Sequence, residues 1–249
     1  MAVVIKSTQE IEKMRRAGQV VREVLELVRN KVKPGATTLD LEKAADARLK
    51  ELGVKAAFKG YHGFPCVLCT SVNSEVVHGI PSPKRVLKEG DIVSVDFGVV
   101  VDGYYGDAAI TVPVGEIKPE TERLLKVTEE SLKAGIAAVR PGATLGDVGS
   151  AVQKVVEGQG FSVVRDFVGH GIGSNMHEDP QVPNFGEAGR GMKLKPGMVI
   201  AIEPMVNAGG PGVKVLDDGW TAVASDGSMS AHFEHTVAVT ANGARILTE

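Results

Sequence analysis

Apolar residues recur at helical spacing in four stretches of the chain. The first opens with Ser7-Thr8-Gln9-Glu10, a capping-box signature in which serine and glutamate each satisfy a free N–H near the helix start. Ile11, Met14, Val21, Val24 and Val28 then fall on one face, and Pro34-Gly35 reads as the stop. Thr37 or Thr38 begins a second helix, with Leu41, Ala45, Leu49 and Leu52 on one side and Gly53 at the C′ position. Later the same grammar returns. A helix over roughly Glu120 to Val139 ends before Pro141-Gly142, and another carries Leu145, Val148, Val152 and Val155 and stops near Gly158. β-rich runs follow the helices at Asp91–Val101, Met198–Val206 and Glu234–Thr240. Helices first and strands after, in each half, predict an α+β fold with an antiparallel or mixed sheet.

The likeness between halves is literal. Val32-Lys33-Pro34-Gly35-Ala36-Thr37 recurs as Val139-Arg140-Pro141-Gly142-Ala143-Thr144, an offset of 107 residues. At that offset Lys88-Glu89-Gly90-Asp91-Ile92-Val93-Ser94-Val95-Asp96 matches Lys195-Pro196-Gly197-Met198-Val199-Ile200-Ala201-Ile202-Glu203. Pro-Gly pairs punctuate many helices, but two matches in one register point to a repeat. The expected organisation is a single catalytic domain over residues 1–249, with repeated halves of about 1–110 and 111–249 and a site where they meet. Asp96 and Glu203 are equivalent positions, each a carboxylate ending an apolar strand pattern, and are placed to converge on one cation.

Carboxylates gather further around this pair. Asp102-Gly103 is a strong two-residue hairpin turn. With that turn, position 96 faces 109 and position 98 faces 107, so Asp96 and Asp107 become diagonal neighbours on one face. Buried together they repel unless a cation lies between them; the alternative is two solvated aspartates flanking a turn. Glu203-Pro204 and Glu234-His235 add two more acids at strand ends. Among six histidines, His170 sits in Gly169-His170-Gly171-Ile172-Gly173, whose glycines permit close backbone approach and unusual φ, with His177 seven residues on. His78 lies in Val76-Val77-His78-Gly79-Ile80-Pro81. His232 shares strand parity with Glu234 and reads as a residue standing behind a ligand, whereas His62 and His235 read as structural. Asp96, Asp107, Glu203 and Glu234 with one imidazole form a hard, oxygen-rich set suited to two ions of Mn²⁺, Fe²⁺, Co²⁺ or Zn²⁺. Two such ions can share a water and supply hydroxide near neutral pH, which implies hydrolysis of an amide, ester or phosphate.

Composition narrows the setting. Hydrophobic residues make up 43% and charged residues 24%, as in ordinary globular chains. A net charge of −3 argues against a surface-wide trap for nucleic acid or anionic lipid. No stretch approaches the ~20 apolar residues of a membrane span. Met1-Ala2-Val3-Val4-Ile5-Lys6 lacks the basic and apolar regions of a signal peptide. The two cysteines, Cys66 and Cys69, predict a reducing, cytoplasmic setting. Pro65 before them and Thr70-Ser71-Val72 after read as loop into strand, so two free thiols, one lining a pocket, are favoured over a redox pair or a zinc site.

The segments Gly60-Tyr61-His62-Gly63-Phe64-Pro65, Asn73 through His78-Gly79-Ile80-Pro81, Gly103 through Gly106-Asp107, His177-Glu178-Asp179-Pro180, Ala201-Ile202-Glu203-Pro204-Met205 and His232-Phe233-Glu234-His235-Thr236 resemble those of type I methionine aminopeptidases. The resemblance runs from about residue 4 to the end. It implies the pita-bread fold, a pseudo-two-fold α+β architecture with a curved antiparallel sheet covered by helices. It selects His170 as the imidazole ligand. Asp107 and Glu234 would bridge two divalent ions (Co, Mn, Fe or Zn), with Asp96 on one ion and His170 and Glu203 on the other. Glu203 would also shuttle the proton, and His78 and His177 would contact the scissile amide. An apolar methionine pocket would come from Phe58, Tyr61, Phe64, Cys69, Met176, Met205 and Trp220. Some members carry Cys, Tyr and Phe where this chain has Phe58, Phe64 and Met176, which bears on fine selectivity. Trp220 also reads as a core anchor. Asn73 and Ser230 would join backbone carbonyls around a monovalent cation. The implied enzyme is a cytoplasmic monomer acting on nascent polypeptide N-termini near the ribosomal exit tunnel, with no membrane and no specific nucleic-acid site. Rival readings are a proline-specific peptidase of the same fold, a metal-free binding relative and a creatinase-like hydrolase.

Overall fold

The computed structural model describes residues 3–249; Met1 and Ala2, where the N-terminal signal reading begins, lie outside it. Helix α1 spans Thr8–Arg29 and α2 Thr38–Leu52; α3 spans Pro119–Ala138 and α4 Leu145–Gly158. The capping boxes of α1, α2 and α4 form at Ser7/Glu10, Thr37/Asp40 and Thr144/Asp147. The α3 start has no side-chain cap and relies on Pro119, whose missing N–H is no loss in the first turn. Helix α1 stops at Asn30, short of Pro34-Gly35, because the Asn30 side chain donates to Glu26 O at 2.9 Å and takes a carbonyl from the final turn.

Strands are β1 Lys55–Ala56, β2 Leu68–Val72, β3 Glu75–Val77, β4 Ile92–Val101, β5 Tyr104–Pro113, β6 Ser162–Val163, β7 Gly169–Gly171, β8 Glu178–Val182, β9 Val199–Ile202, β10 Met205–Asn207, β11 Val213–Val215, β12 Ala222–Ala224, β13 Ser230–His232, β14 His235–Thr240 and β15 Gly243–Ile246. Two antiparallel sheets matter most for function. One orders β1-β4-β2 with β5 beside β4, and the other orders β15-β14-β9-β7-β8. They meet where Glu234 N donates to Ala109 O at 2.9 Å and Ala109 N to Glu234 O at 3.4 Å.

Two expected runs are interrupted. Met198–Val206 becomes β9 and β10, because Pro204 has no N–H to continue a ladder after Glu203. The last run begins at His235, with β13 ending at His232, so the strand breaks across Phe233-Glu234.

Alternation in the β4–β5 hairpin fixes the layers. Val93, Val95, Phe97 and Val99, with Ala108 and Val112, pack under α1 and α2 in one core. Leu124, Leu132, Ile136, Val148, Val152, Ile200, Ile202, Val237 and Val239 build the other core under α3 and α4. The repeat is visible in backbone bonding: Gly35 N to Leu87 O at 2.8 Å recurs as Gly142 N to Leu194 O at 2.9 Å. The bridge Thr37–Val86 likewise recurs as Thr144–Lys193. The fold is the expected α+β, pseudo-two-fold form: a curved antiparallel sheet with two helices per half on its outside. Among the described residues no helix is long and apolar enough to cross a membrane.

Candidate active site

The hairpin turns at Asp102 and Gly103 with φ of 51° and 78°, the left-handed pair a type I′ turn requires. The register is Asp96–Ala109 and Gly98–Asp107, so both aspartates occupy the face turned away from α1 and α2. Each carboxyl group is close enough to shift the other's hold on a proton.

The second half brings the other groups. His170 follows Gly169 in β7, and its neighbours are tightly packed: a Cβ on Gly169 would lie 2.3 Å from Ala201 O, and one on Gly171 2.3 Å from Asp179 O. Close approach therefore explains both glycines, and neither has positive φ. Nδ1 of His170 lies 2.8 Å from Gly171 O. A carbonyl only accepts, so Nδ1 carries the proton and Nε2 presents a lone pair. Nε2 is 3.6 Å from Glu203 Oε1 and 3.9 Å from Asp107 Oδ2. Glu203 ends up between strands, its backbone carbonyl held by Asn184 Nδ2 at 3.0 Å. Ligand atoms of Asp107, His170 and Glu234 lie within 4.8 Å of one another.

This arrangement is electrostatically incomplete. Burial, reinforced by the neighbouring carboxylates, pushes Asp96, Glu203 and Glu234 well above the usual carboxylate range. Burial raises Asp107 to about 7 and lowers His170 to about 3. Among the described residues no lysine or arginine lines the cavity. Asp96 Oδ1, Asp107 Oδ1 and Glu234 Oε1 are buried without a hydrogen-bond partner. Orphaned hard oxygens around an imidazole lone pair fit divalent cations, which would neutralise the charge that burial penalises.

The cavity in front measures about 260 Å³. Its lining includes Asp96, Asp107, His170, Glu203 and Glu234, then His78 and His177, and also Phe58, Tyr61, Phe64, Cys69, Met176, Met205 and Trp220. Every residue expected at the site is thus brought to one place. Phe64 and Trp220 meet edge to face at 5.1 Å. His78 is held at φ 62°, a strained conformation of the kind that gathers at functional sites.

Some residues depart from expectation. His62, read as structural, lines the cavity and meets Tyr61 edge-on at 4.4 Å. Val77, Phe167 and Val168 also line it; their positions beside His78 and just before Gly169-His170 were the available signal. His232 stands behind the site as expected, its Nε2 3.8 Å from Glu203 Oε2. His235 turns away to Thr248 Oγ1 at 2.9 Å. Both cysteines are free, and Cys69 alone of the two reaches the cavity. Asn73 and Ser230 are adjacent, with Ser230 N donating to Asn73 O at 2.8 Å.

Fold and cluster together define a metal-dependent hydrolase of the pita-bread architecture. The family model of Metallopeptidase family M24 matches residues 12–241. The chain is 52% identical to Methionine aminopeptidase A of Synechocystis over 99% of its own length and 97% of that protein's. It is 50% identical to Methionine aminopeptidase 1 of Bacillus subtilis, covering 99% of each. The crystal structure of a methionine aminopeptidase from Thermotoga maritima superposes with a TM-score of 0.98 at 52% identity, covering both chains fully. The prolidase of Pyrococcus furiosus shares the fold, with a TM-score of 0.79 at 24% identity over 99% of this chain and 65% of that one. The chain belongs to metallopeptidase family M24, and within it to the methionine aminopeptidases.

Proposed function

We propose that the chain removes the initiator methionine from nascent proteins whose second residue is small, with residues 1–249 working as one catalytic unit. The observation that carries this reading is the juxtaposition of a carboxylate–imidazole cluster with a small cavity walled by Phe58, Phe64, Cys69, Met176 and Trp220. An apolar, polarisable wall suits a thioether side chain. A cavity of about 260 Å³ has room for such a side chain beside the cluster.

Asp96, Asp107, His170, Glu203 and Glu234 would hold two divalent ions. When bound, such ions polarise the peptide carbonyl and lower the pKa of water. Glu203, facing the cavity, would take a proton from the attacking water and pass it to the departing amine nitrogen. His78 and His177 would contact the scissile amide and stabilise the developing negative charge on its oxygen. The apolar wall would exclude bulk water and align the N-terminal residue. Work on emerging chains would place the enzyme in the cytoplasm near the ribosomal exit tunnel.

The test is methionine release from Met-Ala-Ser and from a peptide with a bulky second residue, in the presence of Mn²⁺ or Co²⁺. Cleavage of the first, sparing of the second and near-total loss in Asp107→Asn are expected. Full activity in that variant, or cleavage confined to proline-containing peptides, would overturn the reading.

A further inference from the structure

The His170 and His177 rings lie against each other with centroids 4.2 Å apart and planes tilted by 52°. The partner of Nδ1 differs between them. In His170 it is the Gly171 carbonyl, which only accepts. In His177 it is the hydroxyl of Tyr61, at 2.8 Å. We infer that Tyr61 is a positioning residue: its hydroxyl donates to Nδ1 of His177 and holds that ring with Nε2–H turned to the cavity, the tautomer opposite to that of His170. The consequence for the reaction rests on the proposed substrate-facing role of His177.

The direction of the bond follows from acidity. A phenol is the stronger donor and a bare imidazole nitrogen the stronger acceptor of the two groups. Burial raises the Tyr61 pKa, so the hydroxyl keeps the proton it donates. The phenol is also anchored from behind. Tyr61 N donates to Phe58 O and Phe64 N to Tyr61 O, both at 2.9 Å. Gly60 and Gly63 flank this turn at φ 88° and 90°, a conformation that suits glycine alone. The Tyr61 and His177 rings lie 5.3 Å apart with planes 31° from parallel, so the two rings are also in close proximity. Two adjacent imidazoles are thereby given opposite tasks. One offers a lone pair, as a cation needs. The other offers an N–H, as an oxygen gaining negative charge needs. An unbraced His177 would turn over and present a second lone pair to that oxygen.

The test removes one oxygen atom. In Tyr61→Phe, kcat on Met-Ala-Ser should fall about five- to tenfold with KM within about twofold, the signature of an interaction realised in the transition state. Manganese affinity by titration calorimetry should be unchanged. Adding Tyr61→Phe to His177→Ala should cost nothing further, because the two act as one unit. Imidazole ¹⁵N NMR of metal-free protein should report Nδ1 of His177 as a hydrogen-bonded acceptor, lost in Tyr61→Phe. An unchanged Nδ1 resonance, multiplicative losses in the double variant, or a fall in metal affinity would each overturn the inference. Full activity in His177→Ala alone would instead remove the substrate-facing role of His177, and the NMR comparison would still decide what Tyr61 does.

Discussion

Thr236 grips Asp107 by its backbone from both directions: Oγ1 donates to the Asp107 carbonyl at 2.7 Å and accepts from its N–H at 3.2 Å. Thr236 is fully buried in β14, so the hydroxyl ties a residue of the first half to a strand of the second. Valine has nearly the same shape and neither bond. Thr236→Val should cost about 1–3 kcal/mol, because two buried backbone groups lose their partner. It should also weaken manganese binding about tenfold through the displaced Asp107. Urea unfolding and titration calorimetry give both values, and wild-type metal affinity would show that the grip is structural only.

Stability of the metal-stripped protein should depend on pH through Asp107. Its folded value is about 7 against an ordinary 3.8, so the folded state binds the proton more tightly. That contribution is present below the ordinary value and lost as pH rises towards the folded one. The buried imidazoles pull the other way, since His170 and His78 are lowered to about 3 and about 4 and favour the folded state only while neutral. Comparing wild type with Asp107→Asn cancels them. The variant should gain stability relative to wild type across the window from 3.8 to about 7, and excess Mn²⁺ should abolish that gain. A difference flat with pH would sink the prediction.

Lys6 and Glu178 form a buried ion pair at 2.5 Å, with side chains 2% and 6% exposed. Glu178 adjoins His177, and its Oε1 accepts from Asn175 N at 3.1 Å, closing the loop that presents Met176 and His177. Lys6→Met strands a buried carboxylate and should cost about 3–5 kcal/mol. Lys6→Met with Glu178→Gln should recover most of it. Thermal melts of the two proteins make the comparison, and equal melting temperatures would show that Glu178 finds another partner.

Much of this site is readable from the chain because its signals are local. Asp102-Gly103 dictates the hairpin, alternation through Val93, Val95 and Phe97 dictates which way Asp96 points, and the hairpin register then delivers Asp107. The repeat marks Glu203 by its resemblance to Asp96. Other features arise only when distant segments meet. Lys6 and Glu178 are 172 residues apart, and no pattern around either announces the other. Asn184 holds the Glu203 carbonyl from a loop with no motif of its own. No local pattern announces that His62 reaches the cavity, where it is carried by a left-handed turn at φ 47°. The strand itself breaks at Phe233-Glu234, yet His232 and His235 still fall on the sides that alternation gives them.

The reciprocal bonds between Ala109 and Glu234 make the cluster a seam rather than a cup. Divalent ions held by Asp96 and Asp107 on one side and by His170, Glu203 and Glu234 on the other would act as rivets through two plates. Changes far from the cavity that loosen the seam would then weaken the hold on the ions without touching a ligand.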